Sequence, residues 1–279
     1  MKPLPFWFPA LLASLVLPLP AARDSDSAAL AASLSPLLTA QQLDEFTAHY
    51  YDNPRPDLIS SAIAALGPSG FLGADGRVGG RYWLFVGFYA EVFAANPDRV
   101  AEWQAVGAKD RMTRACLKAA EKFGRPGALL AVEGRWITRP GAILTLGNSW
   151  GSANDARWGA FFASGNPAYL RRFVAQLADF GAPDSDGTGI GAMWSLARNA
   201  PAHPLVRATL EEARVTADSS IRVLLDDVLT KDLETLRGEI LAKIPHSVPT
   251  GGVPGYAGLR DMGYFGPVNG RLELPPARQ

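Results

Sequence analysis

The chain has 279 residues, 48% of them hydrophobic and 19% charged. That is enough apolar material for one large domain or two small ones, and it excludes a disordered chain. Lysine plus arginine equals aspartate plus glutamate at 27 each. Such a balance argues against nucleic acid as a partner, because phosphate binding needs a basic surface.

The chain opens "MKPLPFWFPALLASLVLPLPAARDS". Lys2 supplies a short positive region, Phe6 to Leu19 an apolar core, and Ala21-Ala22 a small-residue end, with charge following at Arg23-Asp24. In outline this is a secretory signal peptide over residues 1–22. The apolar run is broken by Pro9 and Pro18 and is too short to span a bilayer, so no stable membrane span is expected after its removal. The expected location is the periplasm or the outside of the cell. The single cysteine, Cys116, cannot form an internal disulfide, so the mature protein must hold together by packing.

Residues 25–40 read as a loose arm or a short helix, and the pattern is helical from there. "TAQQLDEFTAHYY" carries a threonine cap at Thr39. "RYWLFVGFYAEVFAAN" is apolar on nearly every side, with Glu91 its only acid, and predicts a central helix covered by its neighbours. "AKDRMTRACLKAAEKFG" alternates charge and apolar groups at helical spacing and ends at Gly124. "SSIRVLLDDVLTKDLETLRGEILAKI" places Ile221, Leu225, Val228, Leu236 and Ile240 on one stripe of one helix, stopped by Pro245. Pro56, Pro97, Pro126, Pro167 and Pro204 recur 29 to 41 residues apart, each read as the start of a helix. Asn96 and Asn166 precede two of them as candidate caps. Each interval fits a helical hairpin.

The predicted architecture is therefore all-α: consecutive, solenoid-like helical hairpins over residues 23–245. Residues 246–279 are rich in glycine and proline and form an irregular tail. Tyr256, Leu259, Tyr264, Phe265 and Leu272 make that tail too apolar for a free linker, so it is expected to lie along the body as a strap.

This layout resembles tetratricopeptide-type α-hairpin repeats, without matching their consensus. The block "DARWGAFFASGNPAYLRRFVAQLADFG", followed by "WSLARNAPAHPLV" and preceded by "HYYDNPRPDLISSAIAALGPSGFL", resembles a group of uncharacterised exported bacterial helical proteins. The similarity covers residues 48–210. It implies an all-helical, repeat-like fold and supplies no activity.

One stretch looks like chemistry. Gly147-Asn148-Ser149-Trp150-Gly151 fits G-x-S-x-G, the nucleophile elbow of serine hydrolases. His203 and His246 follow in the chain and are the possible bases. An elbow needs a parallel sheet, which the helical pattern leaves no room for. The simpler reading makes "GNSWG" a turn and Ser152-Ala153-Asn154-Asp155 a capping box that opens the next helix. Three scattered histidines and one cysteine give no metal spacing, and no cofactor motif is present. Glu211-Glu212 and Asp226-Asp227 are helix neighbours that point apart. "DSDGTGIG", residues 184–191, lacks the spacing of a calcium loop and the lysine of a phosphate loop.

The aromatics Tyr50, Tyr51, Trp150 and Trp158 read mainly as core, and with Asp155 they are the candidate lining of a groove for a peptide or another apolar ligand. The functional expectation is a non-catalytic binding or scaffolding protein with a protein or peptide partner, since stacked hairpins present extended surfaces. The alternative is a serine hydrolase using Ser149.

Overall fold

The computed structural model describes residues 38–73, 81–130, 150–181 and 188–243. The chain divides into two units, Met1–Pro36 and Leu37–Gln279, and all described residues belong to the second. The leader at 1–22 and the tail at 246–279 lie outside the described residues.

The described residues are all-helical and contain no strand. The helices are α1 (Ala40–Ala48), α2 (Ile59–Ser69), α3 (Tyr82–Ala95), α4 (Val100–Gly107), α5 (Arg111–Glu121), α6 (Trp150–Ser164), α7 (Pro167–Gln176), α8 (Thr188–Asn199), α9 (Pro204–Thr216), α10 (Ser219–Thr230) and α11 (Leu233–Lys243). None of them is long and apolar enough to cross a membrane.

The core is organised by α3 and α6, which are not neighbours in the chain yet share the most extensive packing. Residues 82–93 of α3 are buried except Leu84, which explains its lack of a polar face. The two helices cross at glycines. A Cβ on Gly87 would lie 1.8 Å from the Ala156 carbonyl oxygen, and one on Gly159 would lie 1.8 Å from the Leu84 carbonyl oxygen. Backbone therefore meets backbone at the crossing, and only glycine fits on either side. Helix α5 covers another side of α3, while α7 packs on α6, α8 and α9, and α9 packs on α10. The interior is dense in aromatic pairs: Trp158 stacks on Phe173 at 4.8 Å, and Phe93 stacks on Trp103 at 6.0 Å.

Local signals set several boundaries as the sequence predicts. Thr39 and Gln42 form a reciprocal capping box at the start of α1. Pro167 and Pro204 open α7 and α9. Gly165 turns the chain after α6 with a φ of 63°, and Asn166 Oδ1 then accepts the Ala168 N–H at 3.0 Å.

Other boundaries differ. Pro126 starts no helix and sits in a turn. Gly124 lies beyond the end of α5, its N–H donating to the Glu121 carbonyl. Asn96 does not cap; its amide donates to the Val92 carbonyl at 2.9 Å and closes the end of α3 instead. The stretch 219–243 is two helices, because Lys231 is extended and Asp232 accepts the Thr235 N–H at 2.9 Å as a fresh cap. Helix α6 begins at Trp150, so Ser152 stands inside the helix and the Ser152–Asp155 capping box does not form its start.

Candidate functional site

Helix α6 carries an unusual polar load for a central element. Asn154 and Gln176 exchange two hydrogen bonds at 2.9 and 3.0 Å, and the Arg157 guanidinium donates to Asn154 Oδ1 at 3.0 Å. Burial, with Arg172 nearby, lowers the Arg157 pKa. Arg172 itself donates to the Leu130 carbonyl at 2.9 Å. On α3, Glu91 is buried and paired: it accepts the Tyr169 hydroxyl and, at 3.1 Å, the Gly127 N–H. Asn154 with Gln176 and Glu91 with Tyr169 are thus paired with one another, as most buried polar groups are.

Asp155 differs. It is hemmed in by protein on nearly all sides, yet its side chain keeps partial solvent access. No hydrogen bond reaches it from the other described residues. Desolvation alone raises its carboxyl pKa from 3.8 to about 7. One turn on, Trp158 is buried with an indole N–H that lacks a hydrogen-bond partner. Spacings of three and seven residues place Asp155, Trp158 and Phe162 on one face of α6.

The far end of that face meets a second cluster. The Phe162 ring packs 5.1 Å from the His203 ring, which closes against His49 at 4.9 Å. His203 Nδ1 is 3.2 Å from the Tyr51 hydroxyl, and His49 Nδ1 is 3.2 Å from Asp52 Oδ2. His203 is 3% exposed, and burial, with His49 adding to it, pushes its pKa down to about 4. Burial and the neighbouring Asp52 raise the Tyr51 pKa. Among the described residues no three His, Cys, Asp or Glu side chains converge as a metal cage.

The residues singled out in the sequence therefore fall in different places. Tyr50 is core, edge-on to Phe46 and Phe88. Trp158 is also core, stacked on Phe173. Neither ring lines an open groove. Tyr51 packs on Phe161 and joins the histidine cluster. Trp150 opens α6, and its side chain lies outside what is described. Ser149 and His246 lie outside the described residues.

His203 stands at the C-terminal end of α6. At 1.5 Å per residue, about 18 Å of helix separates Phe162 from Trp150, the residue after Ser149. The fold thus does not bring His203 to the elbow end of the helix. His49 and Asp52 carry no sequence signal that marks them as part of a site. No local spacing marks a pair of histidines drawn from positions 49 and 203.

No family model matches the chain, and no curated protein and no solved structure is found to be similar to it.

Proposed function

We propose that this chain is an exported, non-catalytic helical protein that binds a ligand or a protein partner in the periplasm or outside the cell. In this reading residues 1–22 direct export, successive hairpins form the body, and residues 246–279 lie along it as a strap. One observation carries the binding role: Asp155 is a deep, solvent-reachable carboxyl without a hydrogen bond from the other described residues. Folding gains nothing from such a group, because ionising it there is unfavourable. A bound group that carries positive charge or donates hydrogen bonds would complete it.

The test compares the mature chain with its Asp155→Asn variant, both immobilised and exposed to extract of the source envelope. Mass spectrometry then identifies what each retains. A species held by the wild type and lost from the variant supports the reading; identical retention contradicts it.

A second reading has one observation in its favour: helix α6 starts directly after Ser149, as a nucleophile elbow requires. It needs a base other than His203. Labelling by a fluorophosphonate probe that disappears in Ser149→Ala would establish it over the binding role.

A further inference from the structure

The cluster at the C-terminal end of α6 has the ordering of a metal-ligand pair. His49 and His203 stand 154 positions apart in the chain, and the fold sets their rings 4.9 Å apart, centroid to centroid. Each ring is engaged through Nδ1, His49 by Asp52 and His203 by Tyr51. Asp52 is a carboxylate facing a histidine nitrogen, so His49 Nδ1 carries the proton and its Nε2 holds the free lone pair. Tyr51 faces His203 Nδ1, and its hydroxyl oxygen can accept the hydrogen bond of an Nδ1–H, which leaves His203 Nε2 with the lone pair. Metal-bound histidines show this pattern: one nitrogen on the ion, the other held by a carboxylate or another oxygen.

The spacing fits as well. A metal–nitrogen bond of about 2.05 Å puts the ion roughly 3.2 Å from each ring centroid. Two such rings subtending about 90–110° at one ion have centroids about 4.5–5.2 Å apart by the same bond length. The observed separation falls inside this range. His203 is fixed by burial, whereas His49 is half exposed, so the pair is open to solvent on the His49 side.

We propose that His49 and His203 form a two-imidazole site for a divalent late transition metal, with Asp52 and Tyr51 orienting the rings. Asp52 is spent on His49, so the protein supplies two ligands and water supplies the rest. Copper(II) should therefore bind more tightly than zinc, following the general order of divalent affinities. The site is separate from Asp155 and stands whether or not that residue binds a ligand.

The untagged mature chain is titrated with copper(II) and with zinc(II) by calorimetry in a non-coordinating buffer. Copper(II) is expected at one equivalent per chain, with an electron paramagnetic resonance spectrum carrying two imidazole nitrogens. His49→Ala, at an exposed position that leaves the fold intact by circular dichroism, should weaken binding at least tenfold. Asp52→Asn keeps both ligands and should weaken it about 10-fold or more, as loss of an outer partner does. Absence of binding by the wild type overturns the proposal. So does a spectrum with fewer than two imidazole nitrogens, or binding unchanged in His49→Ala.

Discussion

Replacing Gly159 with alanine tests the α3–α6 crossing on which the rest of the fold is hung. In a helix interior without neighbours the change would stabilise, since alanine exceeds glycine in helix propensity by about 1 kcal/mol. Here the new Cβ would lie 1.8 Å from the Leu84 carbonyl oxygen, 2.7 Å from its carbon and 2.8 Å from the Phe88 nitrogen. All three are backbone atoms, so no flexible side chain can swing away. Ordinary contact requires the helices to part by roughly 1.5 Å, and a gap of about 1 Å already forfeits a quarter to a half of each dispersion contact across it. Overpacking in cores costs about 1–3 kcal/mol, and rigid backbone places this case at or above the upper end. The expected net loss is about 3 kcal/mol, a large part of the 5–15 kcal/mol typical of a domain. Urea melts of wild type and variant measure it. Gly238→Ala in α11 is the control: nothing lies within 4 Å of its new Cβ, and it should gain about 0.5–1 kcal/mol. A Gly159→Ala protein as stable as the wild type would refute the backbone contact.

Three further outcomes follow from the same interior. The Asp155 pKa is raised to about 7, so its contribution is present below pH 3.8 and lost as pH climbs towards 7. The His203 pKa is lowered to about 4, so its contribution is present above pH 6.5 and lost as pH falls towards 4. Each has a slope of about 1.4 kcal/mol per pH unit with opposite sign, and they cancel in the wild type between pH 4 and 6.5. Asp155→Asn should therefore make stability rise with pH across that window, and His203→Phe should make it fall; denaturant midpoints that track the wild type in both variants would contradict this. The shifted carboxyls of Asp57, Asp110, Asp218 and Asp232 are lowered and act below the window, and that of Glu102, lowered from 4.5, reaches only its acid edge. Tyr89→Phe removes a buried hydroxyl that has no partner and should raise stability by about 1 kcal/mol, read as a higher melting temperature. Asn166→Ala removes the cap of α7 and should cost about 1 kcal/mol in the same melts.

Much of the helical plan is legible in the sequence because its cues are local. Thr39 with Gln42, Asn166 with Pro167, and the all-apolar run of α3 each act within a few residues, and each element forms where its cue stands. The Asn96 cap fails because its amide closes the helix behind it, and no helix starts at Pro126 because the chain turns there on Gly127, with φ 70°. The site is far less legible. Asp155 looks like half of a capping box until α6 is seen to start at Trp150, which carries the acid into the helix body. Tyr50 and Trp158 share the composition of a binding surface and of a core, and only their neighbours Phe88 and Phe173 decide for core. The His49–His203 pair depends on α6 holding two distant loops together, which no one-dimensional spacing encodes.

The binding role rests on Asp155 standing deep in the protein without a hydrogen-bond partner among the other described residues, and carbon-13 nuclear magnetic resonance can titrate that one carboxyl. With aspartate labelled and the Asp155→Asn spectrum used for assignment, the Asp155 signal should show a midpoint near pH 7. A midpoint near 4, the value of a solvated or paired aspartate, would contradict the account.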